Sequence, residues 1–206
     1  MPVTPPLSTL TKKPFNPLTI AAAITLALSS SFAFARGQSV PFEHISTFDV
    51  IAGNGSAVAE IVDVSPNGRQ LFYTDGDNGE IGFVNIGTPS KPIGDGVVSV
   101  GGEPTSLVVR GVQILVAVNT SESFTEPSGK LVVINRRTRE IRAEYELGGQ
   151  PDAIALSSNK QYAAIVIENE RDEDLGDGQL PQFPSGGLLI VDLRGLSALG
   201  TSILQI

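Results

Sequence analysis

The sequence has no cysteine at any of its 206 positions. Disulfides, thiolate zinc centres and cysteine nucleophiles are thereby excluded. Histidine is nearly absent too. His44 is the only one, near the start of the folded region, so a Ser-His-Asp triad has no well-placed base. In isolation His44 reads as a surface or strand-edge residue rather than a ligand. The chain carries neither a Gly-x-Ser-x-Gly nucleophile elbow nor a phosphate-cradling Gly-x-x-x-x-Gly-Lys loop. Lysine and arginine number 14 against 22 acids, for a net charge of −8, and they form no lysine-rich stripe. Such a balance argues against nucleic-acid binding and leaves cations or basic groups as the partners to expect. Long apolar runs are missing as well. The run at Leu18–Leu28 has 11 residues, whereas a bilayer-spanning helix needs about 20.

That short run sits in an informative order. Lys12 and Lys13 precede it, Ser29–Ser31 follow, and the small-residue site Ala33-Phe34-Ala35 stands before Arg36. This is the arrangement of a cleaved secretory signal, with cleavage between Ala35 and Arg36. Residues 1–35 are read as the signal peptide and 36–206 as the mature domain, secreted or periplasmic, with no membrane span once the leader is removed. The alternative is an uncleaved N-terminal anchor. Loss of the leader, with its two lysines and no acids, takes the net charge from −8 to −10.

A single plan occurs three times within the mature domain. The first copy holds Ala57–Val64, the turn Ser65-Pro66-Asn67-Gly68, then Gln70–Thr74 and Glu80–Ile86. The second opens at Gly101-Gly102-Glu103-Pro104 and continues through Thr105–Val109, Gln113–Asn119 and Lys130–Asn135. The third opens 47 residues later at Gly148-Gly149-Gln150-Pro151 and continues through Asp152–Leu156, Gln161–Glu168 and Gly187–Leu193. Short segments rich in Val, Ile and Leu, separated by Asn-Gly and Ser-Asn turns, predict antiparallel strands. Val97–Val100 and Glu140–Leu147 supply a fourth strand for the first two copies. Four strands in about 45 residues is the size of a propeller blade. The expected fold is therefore all-β and β-propeller-like, with about three four-stranded blades and an incomplete ring, since closure takes about four to eight blades. An ordinary β-sandwich is the competing reading. On the propeller reading the sequence is a portion of a longer protein.

In such a blade the loop from second to third strand emerges on one face of the array. These loops lengthen from Asp75–Gly79 to Thr120–Gly129 to Asn169–Gly186, and insertions gathered on one face mark a binding surface. The longest begins Glu168-Asn169-Glu170-Arg171-Asp172-Glu173-Asp174-Leu175-Gly176-Asp177-Gly178. Its six carboxylates repel one another unless a cation intervenes, and calcium takes six to eight oxygen ligands from such groups. Glu168, Glu170, Asp172, Glu173, Asp174 and Asp177 are the candidate metal ligands. The spacing is not that of an EF-hand, because the third ligand position falls on Gly176 and no Glu stands at position 12. A solvated charged insertion is the alternative. Asp75-Gly76-Asp77-Asn78, on the same face, reads as a turn. Arg136, Arg137 and Arg139 sit at a hairpin on the opposite face and read as structural.

Ile167–Asp174, Gly176-Asp177-Gly178, Leu180-Pro181-Gln182 and Leu189–Leu193 together resemble a block in bacterial phytase-like propeller proteins. These are extracytoplasmic proteins described as having "esterase-like activity of phytase" and often as alkaline phosphatases. The resemblance extends more weakly over Phe42–Leu199, and members of that family are longer. It implies hydrolysis of a phosphate ester or related small-molecule ester outside the cytoplasm, with calcium as cofactor. Only a cation-binding role carries over to the six carboxylates; no catalytic residue is assigned. The alternative is a non-catalytic extracytoplasmic propeller that binds a ligand or a protein.

Overall fold

In a computed structural model the described residues are 42–50, 57–179, 182–196 and 204–205. The expected signal peptide and the expected Ala35–Arg36 cleavage site lie outside them. Contacts divide the chain into Met1–Glu43 and His44–Ile206, and every strand below belongs to the second unit.

The described residues form three antiparallel four-stranded sheets and no helix. Blade 1 is β1 (Ala59–Val64), β2 (Gln70–Asp75), β3 (Glu80–Asn85) and β4 (Ile93–Ser99). Blade 2 is β5 (Glu103–Arg110), β6 (Gln113–Asn119), β7 (Gly129–Asn135) and β8 (Glu140–Glu146). Blade 3 is β9 (Pro151–Leu156), β10 (Tyr162–Ile167), β11 (Gly187–Asp192) and β12 (Leu204–Gln205). Each sheet runs in simple chain order, so every connection is a hairpin or a step to the next blade. The all-β, propeller-like reading holds, and the sheets are open. One strand is longer than expected: β4 starts at Ile93, four residues before the apolar Val97, because Gly94 and Gly96 hide its beginning in the sequence.

Local side-chain chemistry fixes the turns. Ser65 Oγ accepts from the amide of Gln70 at 3.0 Å and donates to Asn67 Oδ1 at 2.7 Å. Ser157 repeats both bonds in blade 3, to the amide of Tyr162 at 3.0 Å and to Asn159 at 2.7 Å. Short polar side chains thus replace backbone partners at the bend. At the other hairpin of each blade, Asn85, Asn135 and Asp192 each accept from the amide two residues on, at 2.8–2.9 Å.

Packing explains why β6 is apolar throughout. Alternate side chains of a strand point to opposite faces. Ile114, Val116 and Val118 join Phe72, Ile81 and Phe83 of blade 1 in one seam. Leu115 and Ala117 join Ile154, Ala163, Ile165 and Ile167 of blade 3 in the other. Full burial of such a side chain contributes about 1.5–3 kcal/mol. Hydrogen bonds tie the seams: the amide of Val109 donates to Asp63 Oδ2 at 2.7 Å, and Thr105 Oγ1 donates to the Pro151 carbonyl at 2.9 Å.

Candidate functional site

Strand direction places the acidic loop. β10 ends and β11 begins at the same end of blade 3, where the corresponding loops of blades 1 and 2 also emerge. Residues 168–179 and 182–186 therefore stand at the same end as the 120–128 loop of blade 2. Glu168, Glu170, Arg171, Asp172, Glu173 and Asp174 line one open cleft of about 500 Å³ with the half-exposed Phe124.

The loop is anchored rather than splayed into solvent. At its root the Glu168 amide donates to the Gln150 carbonyl at 2.9 Å. Asn169, with φ of 49°, turns its Oδ1 to accept from the Gln150 amide at 2.8 Å and its Nδ2 to donate to the Ser185 carbonyl at 3.1 Å. The buried Gln150 side chain clasps the next residue from both sides. Its Nε2 donates to Glu170 Oε2 at 3.0 Å, and its Oε1 accepts from the Glu170 amide at 3.3 Å. Gln182 pairs with the backbone of Asp172 in the same reciprocal way, at 2.8 Å each. Gly178 closes the loop at φ of 68°, where an added Cβ would lie 2.5 Å from the Glu173 carbonyl oxygen.

The same crowding accounts for the repeat motif. A Cβ on Gly149 would meet Asn169 Oδ1 at 2.6 Å, and one on Gly102 would meet the Asn119 carbonyl oxygen at 2.5 Å. The second glycine of Gly-Gly-x-Pro lets the loop after the blade's second strand pass close by. The x residue then binds that loop: Gln150 clasps Glu170, and Glu103 Oε2 accepts from Asn119 Nδ2 at 3.1 Å.

The carboxylates differ in role. Burial, with the negative charges of Asp152 and Glu170 nearby, holds the Glu168 carboxyl above the usual range. Glu173 pairs with Arg171 at 2.7 Å. Asp172 Oδ1 accepts from the Asp174 amide at 2.9 Å. Asp177 lies beyond the cleft lining and accepts from the Gln179 amide at 3.1 Å. Five of the six expected ligands thus share one cleft and the sixth closes a turn. Among the described residues, no three His, Asp or Glu side chains converge closely enough to hold a metal ion as they stand. The donors are the hard oxygens that calcium takes, but their present geometry is not a coordination shell.

Other expected positions resolve plainly. Asp75 is a turn residue: its side chain accepts from the Val58 and Asn78 amides at 3.3 Å and from Asn78 Nδ2 at 2.9 Å. Arg136 donates to the Gly111 carbonyl at 2.8 Å and to Gln70 Oε1 at 2.7 Å, and Arg139 pairs with Asp95 at 2.6 Å. His44 bonds Thr47 at 3.0 Å. Gln150, Asn169, Gln182 and Phe124 were not singled out from sequence. The x position of Gly-Gly-x-Pro carries the signal for Gln150.

A family model of the choice-of-anchor I domain matches residues 60–205. No curated protein matches the sequence. Among solved structures, the chain is similar to hydrazine synthase of Kuenenia stuttgartiensis, at a TM-score of 0.50 and 16% identity, over 72% of this chain and 37% of that one. It is similar to the Cps50 (Swd1) β-propeller domain of Myceliophteria thermophila, at a TM-score of 0.52 and 15% identity, over 72% and 45%. It is also similar to a candidate 6-phosphogluconolactonase from Bacteroides uniformis, at a TM-score of 0.50 and 15% identity, over 80% and 44%. At this identity the likeness establishes the propeller fold alone, and the chain spans less than half the length of each neighbour.

Proposed function

The chain belongs to the choice-of-anchor I domain family, and from that premise we propose an extracytoplasmic propeller whose acidic cleft takes up calcium and, with it, a phosphate ester or related ester. The family description favours a protein of the cell surface or exterior. The likeness of residues 167–193 to phytase-like propellers favours ester hydrolysis. The observation that carries the reading is the anchored cleft. Gln150, Asn169 and Gln182 spend their hydrogen bonds on holding a strongly self-repelling loop in one shape. A loop that served only solubility would need no such framework.

Glu168, Glu170, Asp172 and Asp174 would hold the ion, with small side-chain rotations to bring their oxygens together. Glu173 is engaged by Arg171 and Asp177 by its turn. A bound calcium ion would supply positive charge to neutralise ester oxygens. The chain's own contribution is to fix the loop, to present Arg171 beside the carboxylates as an anion partner, and to offer Phe124 as an apolar wall.

A second reading follows from Phe124 and Arg171: an apolar and a cationic group among carboxylates also suit recognition of a ligand without chemistry. Hydrolysis of a chromogenic phosphate ester, with and without calcium, separates the two. The chain alone is expected to have little activity. A longer version carrying further blades is expected to have chelator-sensitive activity that is lost in Asp172→Ala with Asp174→Ala. Inactivity of both versions would leave the binding module.

A further inference from the structure

Strand direction sorts the charges of this protein in a way that composition conceals. Each strand runs between two ends of the blade stack. One end carries the loops from second to third strand and the entries to each blade; the other carries the hairpins within each blade. Of the eleven lysines and arginines in residues 57–196, nine lie in the hairpins or nearer halves of strands at the hairpin end, with four of the twenty acids. The loop end holds the other two cations and sixteen acids. Within residues 57–196 formal charge is therefore +5 at one end and −14 at the other; the segment 44–50, with Asp49, also reaches the hairpin end, where Ser46 donates to the Pro89 carbonyl at 2.6 Å.

Five of the nine cations are engaged within the fold. Arg110 and Arg136 donate to backbone carbonyls, and Arg139, Arg142 and Arg194 pair with Asp95, Glu140 and Asp192. Arg69, Lys91, Arg137 and Lys160 are exposed, and among the described residues their side chains have no hydrogen-bond or ion-pair partner. They come from hairpins of all three blades, so they spread over the whole end rather than decorating one turn. Exposed apolar side chains stand among them: Val64 at the end of β1, Ile93 at the start of β4 and Ile141 near the start of β8 are 42%, 56% and 41% exposed.

We propose that this basic hairpin end is a docking surface for an anionic phospholipid bilayer, with the acidic cleft held facing away from it. The free cations match anionic headgroups, and the scattered aliphatic side chains match the headgroup–acyl boundary, which a soluble polyanion would not use. The net negative charge of the whole molecule does not prevent this. Strands β1 to β11, of six to eight residues at about 3.4 Å each, set the two ends ~20 Å apart. The Debye length is ~8 Å at ~0.15 M salt, so the membrane feels the near end only; at ~0.01 M it is ~30 Å and the acidic end is felt as well. Binding should consequently pass through a maximum with salt. This inference stands on strand direction and charge and is independent of calcium binding and catalysis.

The test is co-sedimentation of the full chain with phosphatidylglycerol–phosphatidylcholine vesicles and with pure phosphatidylcholine vesicles, from ~0.01 M to ~1 M salt. Residues 1–35 add the same affinity to every variant, apolar from residues 18–28 and cationic from Lys12 and Lys13, so the readout is the difference between the chain and its variants across lipid and salt. The part of binding lost in the quadruple variant is expected to need phosphatidylglycerol, to peak near ~0.1 M salt and to vanish at ~1 M. Each neutralisation among Arg69→Gln, Lys91→Gln, Arg137→Gln and Lys160→Gln should lower partitioning about fivefold. Circular dichroism of each variant reports that the fold is retained. Equal binding to both lipids, or no loss in the quadruple variant, would overturn the proposal. So would binding to soluble polyphosphate with none to vesicles, which would assign the surface to a polymer.

Discussion

Replacing Gln150 by leucine keeps the side-chain volume and removes both of its bonds to Glu170. One is charge-assisted, Nε2 to carboxylate at 3.0 Å, and the other is a long amide bond at 3.3 Å. Together they are worth about 2–4 kcal/mol, counting the Glu170 amide left without its partner. The bonds of Asn169 to the Gln150 amide and of Glu168 to the Gln150 carbonyl use backbone atoms and survive. The loss should fall on the loop and spare the blade seams, because Gln150 belongs to neither apolar cluster. Amide hydrogen exchange across residues 170–178 should therefore speed up by roughly 30- to 1,000-fold, and the free energy of global unfolding in urea should fall by no more than the same ~2–4 kcal/mol. Gln150→Glu provides the contrast. It keeps an acceptor for the Glu170 amide but sets two carboxylates against each other, so the loop should loosen without calcium and tighten with it. Unchanged exchange in the loop, or a global loss with the loop still protected, would refute the clasp as the loop's anchor.

Other outcomes follow from the same geometry. Arg110 donates to the Lys160, Leu193 and Leu196 carbonyls at 2.8–3.3 Å and so joins blade 2 to blade 3. Arg110→Met should cost about 2 kcal/mol in urea unfolding. A Cβ on Gly129 would stand 2.2 Å from Pro151 Cδ and 2.7 Å from the Gly149 carbonyl oxygen, so Gly129→Ala should cost about 3 kcal/mol by overpacking the same seam. In a pH titration, Glu168 and Asp192 should act in opposite directions. The pKa of Glu168 is raised above 4.5 by burial and by Asp152 and Glu170, so its charge opposes folding at neutral pH and that cost is relieved as pH falls through its folded pKa. The pKa of Asp192 is lowered from 3.8 to about 2 by its hydrogen bonds from Arg194, so its contribution is present above pH 3.8 and fades toward pH 2. Glu168→Gln should accordingly stabilise the loop at pH 7 and have no effect well below pH 4.5, measured by thermal melts across that range.

Much of the fold was legible because the repeat makes each blade a check on the others. The run Gln113–Asn119 could be placed as a strand from its apolar residues, and its position between two blades explains why both of its faces are apolar. The start of β4 was hidden by Gly94, which pairs with Val84 of β3, and by Gly96, which takes φ of 84° where the register with β3 shifts. The acidic loop announced itself by charge, and its end of the stack followed from strand direction. What holds it did not show, because Gln150 and Gln182 act on residues 20 and 10 positions away and look like ordinary polar residues in sequence. Nor could charge alone tell which carboxylates share a cleft. Asp177 belongs to the same run as Asp172 and Asp174, and only the turn at Gly176–Gly178 sends it elsewhere.

Calorimetric titration of calcium into the chain decides whether the carboxylates around Asp172 bind the ion. Saturable heat is expected at or below millimolar calcium, accompanied by a rise in melting temperature, with loss of both in the combined Glu168→Gln, Glu170→Gln, Asp172→Asn and Asp174→Asn variant. Absence of heat and of any thermal shift at millimolar calcium, or heat that persists in the combined variant, would contradict it.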